Sequence, residues 1–373
     1  PLNPGSPYLP TTLSDITQIQ PSLQYTHRLG DNHRMVAGMD ANFISSNQAL
    51  NIVDAGGGGA LPDGAAQYQA RIHRDGFSGG MFFSHTVPLA ERFIANYGAR
   101  LDRFNNGLGV NTGQISPFVN LSYAPTSEDV IRLSYNRLFQ APPLELDLSF
   151  SSTVLPQRVS LYELSYERQF MKGLTGKVAL VHKDYRDQID IGQLIPIANI
   201  PLYAPVNFGT AAYDGIELSL ASHYETGWNG FFTSTISRAR PLSAGLFTSE
   251  LPEFNDHDQR VQITVGLSHT WDNGLSAALD VFYGSGYPQE ALALYQEAGV
   301  FPYGITGDRE ARFLTNLSLN YWPKKSGDGV QMGGSLQVLN VFDQRPLLNF
   351  YSEFSGTRFV PQRRILLNGM FRF

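Results

Sequence analysis

The order of its connections restricts this chain more than any other feature. Segments of about ten residues, in which apolar and polar side chains alternate, are joined by links that are short and long in strict turn. Alternation with a period of two is the mark of a strand whose two faces meet unlike surroundings. Val261, Ile263, Val265 and Leu267 share one face, and Gln262, Thr264, Gly266 and Ser268 the other. Ile216, Leu218 and Leu220 alternate with Glu217, Ser219 and Ala221, and Ile131, Leu133 and Tyr135 with Arg132, Ser134 and Asn136. An amphipathic helix would space its apolar residues by three and four, and none of these segments does so.

About fifteen such strands follow, starting near Ile16, Arg34, Phe77, Arg92, Gly113, Asp129, Ser160, Leu174, Tyr213, Trp228, Arg260, Leu275, Ala311, Val330 and Ile365. The short links are Leu29–Asn32, Pro88–Glu91, Pro125–Glu128, Met171–Gly173, Glu225–Gly227, Asp272–Gly274 and Pro323–Gly329. Those of the other class are mostly long: Ser46–Gln67, Asn105–Asn111, Phe139–Val159, Asp190–Ala212, Pro241–Gln259, Ser285–Glu310 and Phe342–Arg364. Tight turns at one end and long loops at the other describe an antiparallel up-and-down transmembrane β-barrel. A soluble sandwich or propeller would mix loop lengths at both ends. Trp228, Trp271 and Trp322 all sit beside short links and are expected to form one interfacial girdle, with Lys172, Lys324 and Lys325 in the same layer. The polar faces carry Arg100, Arg132, Glu163, Glu167, Glu217 and Asp280, which suits a wet or filled lumen.

Composition closes several other routes. With 18 Tyr and 24 Phe among 373 residues, the chain has ample apolar surface to bury, which excludes disorder. The long uncharged stretch Gly192–Tyr213 holds Pro196, Pro201 and Pro205 and cannot span a membrane as a helix. A net charge of −6 gives no basic footprint for nucleic acid. The absence of cysteine removes thiol catalysis, disulfides and cysteine zinc sites, and the eight histidines lie singly, without zinc-site spacing. Gly56–Gly59 is not followed by Gly-Lys-Ser/Thr and reads as a loop tip. In Asp256-His257-Asp258 adjacent side chains of an extended chain point apart, so a polar strand start is expected rather than a metal cluster. No Gly-x-Ser-x-Gly elbow occurs, and neither an enzyme nor a cofactor is expected.

Polarity of the ends adds a further expectation. With short turns on the periplasmic side, the last strand runs inward, and so does the first of fifteen. An odd number of strands cannot close antiparallel, and open edges in lipid are forbidden. The chain opens at Pro1-Leu2-Asn3-Pro4 without a start methionine or signal peptide, so it is expected to be part of a larger barrel.

Several segments carry a resemblance. Leu133-Ser134-Tyr135-Asn136-Arg137-Leu138-Phe139-Gln140-Ala141-Pro142-Pro143 resembles a strand of the TonB-dependent receptors that ends in Arg-x-Phe-x-Ala-Pro. Pro156-Gln157-Arg158 with Tyr162-Glu163-Leu164, and then Lys183-Asp184-Tyr185-Arg186-Asp187-Gln188-Ile189, are similar to the next two strands. Asn207-Phe208-Gly209 with Asp214-Gly215-Ile216-Glu217, Asp256–Arg260, Tyr283–Pro288 and Asn340-Val341-Phe342-Asp343 continue the order to the strand closing on Phe373. The resemblance covers residues 130–373 and implies an outer-membrane barrel of about twenty-two strands with a plug. About fifteen of those strands are then present, and the plug, the TonB box and the first strands are missing from residues 1–373.

What the resemblance implies for function is energy-coupled uptake of a scarce ligand, a siderophore, cobalamin, glycan or peptide, in a Gram-negative outer membrane. A passive porin-like channel is the alternative. The implied partners are outer-membrane lipid, the TonB energy-transducing complex acting through the plug, the barrel-assembly machinery and the ligand. Ligand contacts are expected from the long aromatic loops, with Tyr203, Tyr287, Tyr295, Tyr303, Arg309, Arg345, Tyr351 and Arg358 as candidates, since ring faces and guanidinium groups suit an amphipathic ligand. The same side chains could instead pack the loops against one another. Ile365, Leu367, Gly369, Phe371 and Phe373 should face lipid, Phe371 and Phe373 forming the end read by the assembly machinery.

Overall fold

The computed structural model describes residues 8–30, 33–54, 67–142, 154–197, 200–224, 226–241, 258–287, 311–323, 330–352 and 356–372. The described residues contain no helix, and their strands run in this order: β1 (Tyr8–Ile19), β2 (Ser22–Leu29), β3 (His33–Asp54), β4 (Gln67–Ala90), β5 (Phe93–Asn105), β6 (Asn111–Tyr123), β7 (Asp129–Gln140), β8 (Gln157–Met171), β9 (Leu174–Ile197), β10 (Ile200–Ser222), β11 (Gly227–Pro241), β12 (Val261–Thr270), β13 (Leu275–Gly284), β14 (Arg312–Tyr321), β15 (Gln331–Leu339), β16 (Leu347–Ser352), β17 (Gly356–Phe359) and β18 (Arg364–Arg372). Sixteen form one antiparallel sheet in which sequence neighbours pair, β15 passing to β18, while β16 and β17 make a separate hairpin. β1 and β2 are two halves of one edge strand: Ile19 pairs with Phe43 and Ser22 with Asp40 on the same β3. The break is at Gln20-Pro21, where the Pro21 carbonyl still accepts the Ala41 N–H at 3.0 Å. Fifteen passes therefore cross the sheet, as the alternation of links anticipates.

The two faces separate as the period of two requires. Leu267, Leu279, Leu317, Val338 and Ile365 are cross-strand partners in one unbroken row. A second row on the same face joins Leu121, Leu133, Leu164, Leu180, Ile216 and Ile236. Most of these aliphatics are exposed, and near the edge of the sheet Leu367 reaches 78% and Ile365 65%. Continuous rows of this kind exceed what a water-soluble surface tolerates and identify the lipid-facing side. Phe371 follows on that face opposite Met332, whereas Phe373 lies outside the described residues.

At the short-turn end, His269 sits between Trp228 and Trp271 with ring centroids 4.6 and 4.5 Å away, and Phe93 stacks on Tyr123 at 4.3 Å. These rings form the expected interfacial belt. Trp322 does not join it: its ring lies against Gly333, whose partner Met370 belongs to the lumen-facing row. Gly274 closes the 272–274 turn at φ 88°, and a Cβ there would strike the Trp322 carbonyl, which accounts for glycine at that position.

Three expected loops are in part strand: Phe342–Arg364 holds the β16–β17 pair, and two others extend the main sheet. The link assigned to Asp190–Ala212 continues as paired β9 and β10, and the one beginning at Ser46 as β3 paired to β4 from Gln67. β9 has 24 residues, about 80 Å at strand rise, whereas crossing an apolar band of about 25 Å at the usual tilt needs about 33 Å. Beyond the lipid both faces are wet, so the alternation that marks a strand in sequence fades. The Gly56–Gly59 run and Asp256-His257 lie outside the described residues.

Three of the family-like segments are clamps that fix the long-loop end. Asn207 donates to the carbonyls of Leu155 (2.9 Å) and Asp187 (2.8 Å) and accepts the Leu155 N–H (2.7 Å). Asp258 is buried, accepting the Ala239 N–H at 2.7 Å and the Arg260 Nε–H at 2.7 Å. Asn340, at φ 53°, donates to the carbonyls of Gln344 (2.6 Å) and Pro361 (3.0 Å) and accepts the Gln344 N–H (3.0 Å).

Face and clamp can each be tested by substitution. Arg at Val265 or Leu218, on the lipid face, is expected to cost about 2–4 kcal/mol in denaturant titrations in phospholipid vesicles, and Arg at Thr264 or Ser219 far less. Equal losses would remove the lipid assignment. Asn340→Gly tolerates the backbone but loses three hydrogen bonds, for about 2 kcal/mol, and Asn340→Ala adds left-handed strain of about 1 kcal/mol. Limited proteolysis of residues 341–363 reads the order: wild type slowest, Gly next, Ala fastest.

Candidate functional site

The polar face lines the lumen, and several of its charges, though not Glu217 or Asp280, are paired across strands. Arg100 of β5 donates to both carboxylate oxygens of Asp40 on β3, at 2.6 and 2.9 Å, and through Nε to Asp102 at 2.5 Å. Gly80, between Asp40 and Asp102 in register, leaves room for this: a Cβ there would lie 2.9 Å from both the Arg100 Nη2 and an Asp102 oxygen. Further along, Arg132 donates to Glu167 at 3.0 Å and Lys177 to Glu163 at 3.0 Å. Each pair offsets the cost of holding a charge away from bulk water, and together they leave a wall without one dominant sign.

Above this ladder, toward the long loops, an apolar cluster narrows the lumen. Phe104 is fully buried with Ile44 and Val110, and Phe139 and Ala141 pack against them. The Arg137–Pro142 run thus ends β7 by turning two side chains onto the lumen wall. Phe139 and Ala141 also line a cavity of about 540 Å³ with Asp40, Arg100, Asp102 and the Gln20-Pro21 break. Asn106, fully buried, holds the adjoining loop by accepting the Leu108 and Val110 N–H groups at 2.9 and 3.0 Å.

At the loop end of β14, Arg312 is only 5% exposed on the lumen-facing row. It donates to the Tyr287 hydroxyl at 3.1 Å and to Gln259, and its guanidinium lies 4.5 Å from the Tyr287 ring centroid and 5.5 Å from that of Phe282. A cation held between rings at the mouth of a polar lumen can receive an anionic or aromatic group. Tyr287 is one of the candidates read from the sequence, but Arg312 is not. Its signal is slight, a single arginine at the start of a strand whose lumen face is otherwise Leu314, Asn316 and Ser318.

Arg345 is exposed near Asp343 at 3.9 Å. Tyr203 pairs with Leu194 in the β9–β10 ladder, Tyr351 lies in β16 and Arg358 in β17, with their side chains outside the described set. Tyr295, Tyr303 and Arg309 fall in 288–310, also outside it. Among the described residues no cluster of metal-ligating side chains occurs.

Comparison with known proteins agrees with this architecture. A search of the curated proteins finds no match. Among solved structures, the ferric yersiniabactin uptake receptor FyuA from Yersinia pestis superposes with a TM-score of 0.71 at 14% identity, covering 99% of this chain and 56% of that one. The FrpB iron transporter from Neisseria meningitidis gives 0.67 at 15% identity, with 95% and 55% covered. The ferric-catecholate import receptor Fiu from E. coli K12 gives 0.64 at 15% identity, with 97% and 55% covered. The chain thus spans about half the length of these structures. The family model described as TonB dependent receptor-like, beta-barrel, matches residues 3–352. With its lipid-facing rows, its one-ended turns and this match, the chain belongs to the TonB-dependent receptor β-barrel family of the Gram-negative outer membrane.

Proposed function

We propose that this chain is the C-terminal part of the barrel of an energy-coupled receptor that takes up a scarce ligand. The plug and first strands would lie in a part of the protein outside residues 1–373. The paired lumen wall carries this reading: Arg100–Asp40, Arg132–Glu167 and Lys177–Glu163 present neutralised, hydrogen-bonding surface suited to a seated plug. A passive pore that selects by charge would need a ring of one sign. Fifteen passes, with β1–β2 and β18 at the two edges of the sheet, also favour a barrel completed by further strands. The ligand class is an anionic, aromatic-rich compound such as a ferric chelate, received at Arg312 and Tyr287 and at the rim candidates Tyr203, Tyr295, Tyr303, Arg309, Arg345, Tyr351 and Arg358. Coupling to the TonB complex would act through the plug.

Uptake of a radiolabelled ferric chelate by cells carrying the full-length protein tests this. It should stop on adding an uncoupler, and uptake that continues would return the porin-like reading. Arg312→Gln is expected to raise the half-saturating ligand concentration about tenfold, as loss of a charge-assisted contact does, with barrel assembly intact. Tyr295, Tyr303 and Tyr351 changed to Ala should weaken uptake at limiting ligand, and unchanged uptake would leave these rings as loop packing. Deleting Phe373 should reduce the heat-modifiable barrel in outer-membrane fractions, since the assembly machinery would read the Phe371–Phe373 end. Undiminished barrel would remove that role.

A further inference from the structure

Histidines that lie singly in the sequence come together through register. On the outward face at the short-turn end, His27 of β2, Met35 of β3, His85 of β4 and Tyr97 of β5 are cross-strand partners in one row. His33 lies two residues before Met35 on β3 and therefore shares that face. It is the first residue of β3 and closes the 30–32 turn opposite Leu29. The group thus stands in the layer of the aromatic belt, where ions from the periplasm have access.

Two of these imidazoles are spaced as ligands of one ion. The ring centroids of His33 and His85 lie 5.6 Å apart. A d-block ion sits about 2.0–2.1 Å from a ligating imidazole nitrogen, so two rings sharing it at tetrahedral or trigonal angles stand about 5–5.5 Å apart. The His85 ring is oriented from behind, its Nδ1 meeting the Tyr97 hydroxyl at 3.1 Å. With Nδ1–H donating to that oxygen, the lone pair of the ring lies on Nε2. This Nε2 is buried and, among the described residues, has no hydrogen-bond partner. Such an atom is costly to leave unmet, and a bound cation would satisfy it. Met35, the direct partner of His85, has its Cβ about 5 Å away and a flexible thioether that can reach the same point. His27 is engaged elsewhere: its Nδ1 is 3.4 Å from the Tyr25 hydroxyl, and its ring is parallel to that tyrosine with centroids 6.1 Å apart. The donors are thus two imidazoles and a thioether, and among the described residues no three imidazoles or carboxylates converge.

We propose that His33, His85 and Met35 form a site for cuprous copper at the periplasmic rim of the outward face. Imidazole with thioether is a soft donor set that suits Cu(I), whereas Mg²⁺ and Ca²⁺ require oxygen ligands that this set lacks. The ligands come from β3 and β4, so the ion would also tie this seam, beside the β1–β2 edge of the sheet. An ion bound only by the folded barrel stabilises it. The site lies across the wall from the lumen and at the opposite end of the strands from Arg312, so it does not rest on the proposed ligand or its uptake.

The test uses the untagged full-length receptor purified from outer membranes, stripped with a chelator and titrated anaerobically with Cu(I) against bicinchoninate, a coloured competitor. Wild type is expected to take up one equivalent. His33→Ala and His85→Ala should each lower the affinity about a hundredfold, and Met35→Leu, of similar volume, about tenfold. Tyr97→Phe keeps the ring and loses only the hydroxyl, and should cost about tenfold, as removal of an outer-shell partner does. His27→Ala should leave the affinity unchanged. Heat-modifiable migration on gels shows which variants are assembled barrels, and the mild Met35 and Tyr97 changes decide the matter if an alanine variant does not assemble. The site is overturned if wild type takes up no equivalent, or if the affinity survives the two alanine changes or the two mild ones. An equal loss in His27→Ala also overturns it, leaving adventitious binding at surface histidines only. Chelate uptake measured alongside keeps the two readings separate, because loss of copper binding with normal uptake bears only on this one.

Discussion

Hydrocarbon offers no partner to a backbone N–H or C=O, and the rest of this molecule is organised by that fact. Every strand crossing the apolar band must lend its full row of amides and carbonyls to its neighbours, so the sheet runs in sequence order with few irregularities inside the band. Even the Gln20-Pro21 interruption keeps its register, because β3 stays continuous behind it and gives a bond to the Pro21 carbonyl. Side chains are then free to differ by face. One side becomes a set of aliphatic ladders, and the other holds arginines, lysines and carboxylates that satisfy one another across strands.

The same constraint explains why so much of the fold is legible in the amino-acid sequence. Within the band the face toward lipid must be apolar and the face toward the lumen need not be, so residues such as Val265 and Thr264 announce the strand by contrast. All fifteen passes are legible for that reason. Above the band the contrast disappears, and the upper halves of β9 and β10 look like loop although their ladders continue to Ile197 and Ile200. Trp322 fails differently: position beside a turn places a ring at the right depth but does not say which way it points.

The site is less legible than the fold. Tyr287 stands out as an aromatic in a long link, yet the group that organises it is Arg312, whose meaning comes only from burial between two rings. Asn207, Asp258 and Asn340 are conspicuous through a resemblance, and the structure gives them a scaffold role: they secure the base of the long loops by bonding to backbone. Side chains with such partners have little freedom left for a ligand. In sequence the aliphatic rows of the outer face are only separate alternations, since their adjacency is a matter of register.

The β9–β10 ladder has a mechanical consequence. From the Leu174–Ser222 pair upward the two strands are bonded continuously, so the shaft behaves as a stiff two-stranded beam rooted in the membrane. Its irregularities come well above the root: Asp187 adopts φ 54°, and register slips between Ala204 and Val206 around Pro205. A proline cannot donate to the ladder, and a bulge is where a sheet bends. Load applied at the tip would therefore be absorbed as flexure at these two joints, leaving the part of the beam that borders lipid undisturbed. The outer rim can yield to whatever touches it while the wall of the barrel keeps its shape.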